Sequence, residues 1–272
     1  MVERGSGPRV LLFLTVFVIA TCGLVYELIA GTVASYLLGD SVTQFSLVIG
    51  VYLFAMGMGS LASKYFERHL LTWFIRVELL VGLVGGISST LLYLLFGMVD
   101  AFHVVLYLLV FLTGALVGLE IPLLMRILKD QVDFRSLVAN VFTFDYVGAL
   151  LASVLFPLVL MPSLGILRTS YVIGLINVAI GLVVLRYFKG QVRGGTGLQV
   201  TAVMLMVGFA FAFAFADRVQ AFTEGDLHTG TVIHAETTPY QRIVVARQYA
   251  DVSLYLNGNL QFNSKDEYRY HE

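Results

Sequence analysis

Residues 10–38 read VLLFLTVFVIATCGLVYELIAGTVASYLL, a run of 29 positions whose one charged side chain is Glu27. As a helix it extends about 43 Å at 1.5 Å per residue, beyond the ~30 Å hydrocarbon core of a bilayer. Six further apolar runs follow at 42–63, 71–96, 101–128, 137–161, 164–187 and 198–216. Each is close to or longer than the ~20 residues that a crossing needs, so residues 1–216 read as an α-helical multi-pass membrane domain of seven helices. A first run this long, with six behind it, is not a cleavable signal peptide.

Composition supports the same class. Of 272 residues, 58% are hydrophobic and 13% charged, with mean hydropathy +0.85, where a soluble domain carries roughly a quarter charged. That excludes an ordinary soluble globule and a disordered chain. Seventeen basic against 18 acidic side chains give a net charge of −1, so no nucleic-acid partner is expected. The one cysteine, Cys22, has no companion for a disulfide or a metal site. Residues 217–272 hold 13 of the 35 charged side chains in 56 positions. The chain therefore changes solvent near Asp217, and 217–272 forms a second, water-facing region.

Basic residues flank alternate helix ends. Arg4 and Arg9 precede the first helix; Lys64 and Arg68, then Arg126, Lys129 and Arg135, then Arg186, Lys189 and Arg193 follow the second, fourth and sixth. The opposite side has Arg168, beside Asp40 and Asp100. By the positive-inside rule the N-terminus is cytoplasmic, and the expected location is the cell (inner) membrane with the bilayer as partner. Glycines at 57, 59, 82, 85, 86, 114 and 118 mark places where helices can approach closely. The loop Gly59-Ser-Leu-Ala-Ser-Lys-Tyr-Phe-Glu-Arg-His69 resembles the loop between helices two and three of major facilitator transporters, without its aspartate. The first six helices are thereby likened to half of such a transporter.

Ionisable groups inside hydrocarbon must face protein or water. Arg76, Glu78, Glu120, Asp145 and Asn177 fall roughly 8–15 Å from the cytoplasmic ends of their helices at 1.5 Å per residue. Glu27 lies deeper, and Pro122 opens the hydrogen-bond ladder of the fourth helix beside Glu120. Two readings stand. Glu78, Glu120 and Asp145, with Arg76, line an intramembrane cation site, or Arg76 and neighbouring amides such as Asn177 neutralise the carboxylates as an internal clamp.

After Ala216 the pattern becomes period two. Thr231–Glu236 and Arg242–Gln248 read as strands, and 252–262 as a β-hairpin whose Asn257-Gly258 pair favours a type I′ turn. Ser264-Lys-Asp-Glu267 has capping-box spacing, which starts a helix at Lys265. A small antiparallel hairpin region of this size has too little apolar surface to stand alone, so the chain is expected to stop short of its natural C-terminus, or the sheet to dock on another partner.

Three motifs in this tail carry a resemblance. Thr238-Pro-Tyr-Gln-Arg-Ile-Val-Val245, Leu254-Tyr-Leu-Asn-Gly-Asn-Leu-Gln-Phe262 and Asp266-Glu-Tyr-Arg-Tyr-His-Glu272 resemble, in order and spacing, the N-terminal strands of polyamine aminopropyltransferases, the spermidine synthase family. With the helices ahead of them they are similar to the fused major-facilitator/spermidine synthase proteins. The resemblance implies that Gln241 contacts the nucleoside cosubstrate, decarboxylated S-adenosylmethionine, and that Tyr270 and His271 line the polyamine pocket. An amide can read a nucleoside hydroxyl, and a phenol and an imidazole can orient an amine. Asn257 stands where the family has aspartate.

No G-x-G-x-x-G follows a strand, so the expectation is a fragment without the Rossmann-like catalytic domain, with no catalytic residue, bound cofactor or metal of its own, and inert by itself. The whole protein would be a membrane-anchored transferase converting putrescine and decarboxylated S-adenosylmethionine into spermidine and methylthioadenosine. The alternative is a transporter-like module for a polyamine or another organic cation, which at half size would pair as a homodimer. Seven crossings put residue 217 outside, whereas the implied cosubstrate is made inside, so the side occupied by 217–272 stays open.

Overall fold

The computed structural model describes residues 6–96, 99, 102–129, 132–219, 230–238, 242–256 and 259–266. Seven long helices precede a four-stranded sheet: α1 Ser6–Leu38, α2 Ser41–Ala62, α3 Leu70–Leu95, α4 Phe102–Leu128, α5 Phe134–Leu155, α6 Met161–Tyr187 and α7 Gly195–Ala214, then β1 Thr231–Thr237, β2 Arg242–Gln248, β3 Asp251–Leu256 and β4 Asn259–Asn263.

Helix α1 is the central post. Leu12, Val16, Ile19, Cys22, Tyr26, Ile29 and Val33 are all buried along it, and their three-and-four spacing forms a seam running the length of the helix. Around it, α2 packs on α4, α3 on α6, and α5 on α1, with α7 outside α6 and α3. The glycines explain how closely the pairs approach. A methyl at Gly59 would meet the Ala115 carbonyl and one at Gly118 the Met56 carbonyl, which brings the α2 and α4 backbones together. Gly82 and Gly174 do the same for α3 and α6, and Gly148 lets α5 rest on Phe17 and Ala20 of α1. Thr21 Oγ1 then donates to the Gly148 carbonyl at 3.1 Å, and Tyr52 OH donates to the Gly23 carbonyl at 2.8 Å, tying α2 to α1.

Among the described residues, six helical runs are long and apolar enough to cross a membrane. One of them, Phe134–Tyr187, spans 54 residues and would be about 81 Å long if straight. It is not straight. A π-helical turn, Phe156–Leu160, follows α5, and Gly165 (φ 70°, ψ −179°) then breaks the path. Thr169 Oγ1 donates to the Leu160 carbonyl at 3.3 Å, although residues nine apart in a continuous helix are separated by about 13 Å. The chain therefore doubles back at Gly165, a conformation open in practice to glycine alone. The two segments expected at 137–161 and 164–187 are this single folded run.

Leu53 and Phe54 of α2, Leu150 of α5, Leu158 of the π turn, and Met204, Val207 and Phe211 of α7 lie exposed, and only Ala202 and Phe209 of α7 are buried. Polar side chains collect at helix ends. Asp40 (φ 42°) caps α2 by accepting from the Thr43 amide, and Asp133 caps α5 by accepting from the Arg135 amide.

The sheet is an antiparallel meander in the order β1-β2-β3-β4. Val244 pairs with Tyr255 and Ala246 with Ser253, and these four buried residues share one face. Leu256 pairs with Asn259, so the expected tight hairpin is present with two residues between its strands. Asn257 and Gly258, on which the type I′ expectation falls, lie outside the described residues. Residues 264–266 form a 3-10 turn where the helix start was expected.

Candidate functional site

The polar groups inside the bundle meet where α1, α3, α4 and α6 converge. Glu78 on α3 and Asn177 on α6 are 0% and 1% exposed, and Asn177 Nδ2 donates to Glu78 Oε2 at 3.2 Å. Close helix approach makes this bond, because a methyl on Gly181 of α6 would lie 3.2 Å from Glu78 Cβ. Glu120 on α4 is 1% exposed and lies within electrostatic reach of Glu78 and Asp145. Both glutamates are also within reach of Cys22 on α1.

The sequence-expected constellation is therefore only partly assembled. Glu78 and Glu120 point inward as the cost of burying them requires. Asp145 on α5 is half-buried at the margin. Arg76 turns away. It is exposed on the far side of α3, with its guanidinium 4.9 Å from the centre of the Trp73 ring. The reason is helical geometry, since two residues advance about 200° around an α-helix and Arg76 cannot share the face of Glu78. An Arg76 clamp is thus not formed, and among the described residues no basic side chain makes an ion pair with Glu78, Glu120 or Asp145. The partner that sequence reasoning undervalued is Asn177. Its signal was the glycine spacing on α3 and α6, which allows an amide to reach across.

A small cavity lies further along the bundle between Tyr26, Tyr52, Ser88, Leu92 and Thr113. Its volume of about 10 Å³ has room for roughly one water molecule, which is too little for a polyamine. No group of three or more His, Cys, Asp or Glu side chains is gathered in metal-binding range among the described residues.

At the water-facing end, Gln241, Tyr270 and His271 lie outside the described residues. The strands that flank Gln241 are in place. β2 begins at Arg242, the next residue, and pairs on both sides with β1 and β3. The Thr238–Val245 and Leu254–Phe262 motifs thus fall on neighbouring strands of one sheet.

Comparison with known proteins extends the resemblance to the helices. The relatives of this chain are polyamine aminopropyltransferases. A protein of that name from Leptospira interrogans is 50% identical over 266 residues, covering 96% of this chain and 52% of the relative. Polyamine aminopropyltransferase 1 of Ralstonia nicotianae is 52% identical over 282 residues, 100% of this chain and 52% of the relative. Polyamine aminopropyltransferase 1 of Streptomyces coelicolor is 40% identical over 276 residues, 98% and 52% respectively. The chain spans about half the length of these relatives. No family model matches the chain, and no solved structure does.

These matches correct the expected function, an inert fragment with a transporter-like module as the alternative. Proteins named for the transferase match the chain over 96–100% of its length, so its helices, as well as its strand motifs, are shared with that enzyme. The likeness of the first six helices to half of a major facilitator transporter has only the 59–69 loop behind it.

Proposed function

We propose that this chain supplies the membrane-spanning helices and an N-terminal sheet of a polyamine aminopropyltransferase. The observation that carries the reading is the 40–52% identity to proteins of that name over 96–100% of the chain. The donor is decarboxylated S-adenosylmethionine and the acceptor a polyamine such as putrescine. In the transfer, the acceptor's primary amine nitrogen bonds to the aminopropyl carbon attached to the sulfonium sulfur. The carbon–sulfur bond breaks with its electron pair going to sulfur, methylthioadenosine leaves, and the new ammonium loses a proton. Gln241 reads the nucleoside part of the cosubstrate, and Tyr270 and His271 orient the acceptor amine.

The membrane placement is supported by the apolar outer faces of α2, α5 and α7 and by the gathering of basic helix ends. Arg126 Nη1 donates to the Ser63 carbonyl at 2.8 Å, joining the ends of α4 and α2, and Arg193 lies 3.3 Å from His69, joining the segment after α6 to the start of α3. At the other end, Arg168 pairs with Asp217 at 2.8 Å, so the exit of α7 lies opposite the basic loops.

The test is product formation by the protein purified in detergent with putrescine and decarboxylated S-adenosylmethionine. Methylthioadenosine release is expected, with Gln241→Ala raising KM for the cosubstrate and His271→Ala raising KM for putrescine. Absence of methylthioadenosine at saturating concentrations of both substrates would overturn the reading.

A further inference from the structure

The buried layer holds acceptor atoms with no donor. Glu78 Oε1, Glu120 Oε1 and Asn177 Oδ1 have no hydrogen-bond partner, although all three residues are at most 1% exposed. They come from three different helices, α3, α4 and α6. Asn177 has already committed its amide nitrogen to Glu78 Oε2, so its carbonyl oxygen is held inside the same layer. Buried polar atoms in a native interior nearly always find a partner, and three orphans of one kind ask for a single positive body.

A shared proton does not meet this demand. No hydrogen bond joins Glu120 to Glu78 or to Asn177, yet Glu120 lies within electrostatic reach of Glu78. Hard cations such as Ca²⁺ bind oxygen at about 2.3–2.6 Å, so oxygens on opposite sides of one ion are ~4.6–5.2 Å apart. That is too far for a hydrogen bond and close enough for strong charge coupling. An organic ammonium needs space for its carbon chain, and the cavity further along the bundle between Tyr26, Tyr52 and Thr113 is about 10 Å³.

We infer that Glu78, Glu120 and Asn177 form a binding site for a hard, oxygen-seeking metal cation at the junction of α3, α4 and α6. The ion would tie the three helices together and supply the counter-charge that Arg76, exposed on the far side of α3, does not. The site is independent of the transferase reading and would survive its failure.

The test is cation-dependent stability of the full protein, purified in detergent and stripped of metal. Unfolding is followed during titration with NaCl, MgCl₂ or CaCl₂ against choline chloride at equal ionic strength. One of the three should raise Tm saturably, and equilibrium dialysis with the matching radioactive ion should show about one ion per chain. Asn177→Ala should weaken apparent affinity at least tenfold, and Glu120→Gln should abolish the rise. If Glu120→Gln does not fold, the wild-type titration and Asn177→Ala decide. A Tm indifferent to all three cations, or one that rises with acidification alone, overturns the site, as does an unchanged response in Asn177→Ala.

Discussion

Replacing Gly118 by alanine should force α2 and α4 apart. The added methyl would collide with the Met56 carbonyl, and one at Gly59 with the Ala115 carbonyl. Even at Gly114, nearby on the same face, a Cβ would sit 2.8 Å from the Tyr52 carbonyl oxygen, about 0.6 Å inside the 3.4 Å at which ordinary contact begins. The obstacles are backbone atoms of a helix, so no side chain can rotate away and whole helices must shift. Overpacking of this kind costs about 1–3 kcal/mol. Gly57→Ala is the matched control, because nothing lies within 4 Å of its Cβ position and the helix gains about 0.5–1 kcal/mol from losing a glycine. Gly118→Ala makes the same propensity gain, so the two variants should differ by the overpacking alone, ~1–3 kcal/mol, read from equilibrium unfolding in one detergent. The double variant Gly59→Ala/Gly118→Ala should lose less than the sum, since one separation relieves both contacts. Stabilities of Gly118→Ala and Gly57→Ala that agree within about 0.5 kcal/mol, a difference typical of exposed sites, would show that α2 and α4 are not in backbone contact.

Three further outcomes follow from the fold. Gly165→Ala should destabilise by about 1–3 kcal/mol through backbone strain alone, because φ is +70° and nothing lies within 4 Å of the Cβ position; unchanged unfolding would show that the reversal lies elsewhere. The Thr43 hydroxyl and then the Thr43 amide, both donating to Asp40, hold its carboxyl below the ordinary 3.8. Its capping contribution is thus complete above that value and lost as pH falls through the lower folded value, so the Tm gap between wild type and Asp40→Ala should close on acidification below 3.8, and a gap independent of pH would refute the cap. In a Cys22→Ser background, cysteines at Glu67 or Lys189 should be shielded from an impermeant thiol reagent in intact cells and a cysteine at Glu224 should react, since Arg168–Asp217 sets the α7 exit opposite the basic loops; shielding at all three positions would place the sheet on the basic side.

Some of the site was legible and some was not. The inward aim of Glu78 and Glu120 follows from the cost of a carboxylate in hydrocarbon. The outward aim of Arg76 was also available, because two residues on a helix face nearly opposite ways, but similar depth along the sequence hid it. Asn177 as the partner of Glu78 depends on α6 lying against α3, which glycines such as Gly82 and Gly174 permit but do not dictate. In the sheet, Arg242–Gln248 was readable from alternation and matches β2. The turn between β2 and β3 was not. Gln248 pairs with Asp251 across Tyr249 and Ala250, with Tyr249 at φ 57°, and nothing in a Tyr-Ala pair signals a left-handed turn.

By itself the sequence determined that residues 6–214 form long apolar helices, where most of them start and stop, which ends carry the basic residues, and that a strand-rich segment follows. Those properties are local, arising from runs of apolar side chains, caps such as Asp40 and Asp133, and alternation with period two. Tertiary structure alone decided that α1 is the central post, that the run from Phe134 to Tyr187 doubles back at Gly165 through a π turn, and that Asn177 bonds Glu78 with Glu120 in electrostatic reach while Arg76 is left outside. These depend on which helix faces are pressed together, and backbone approach at Gly59, Gly118, Gly82 and Gly174 sets that choice across distances the sequence pattern does not encode.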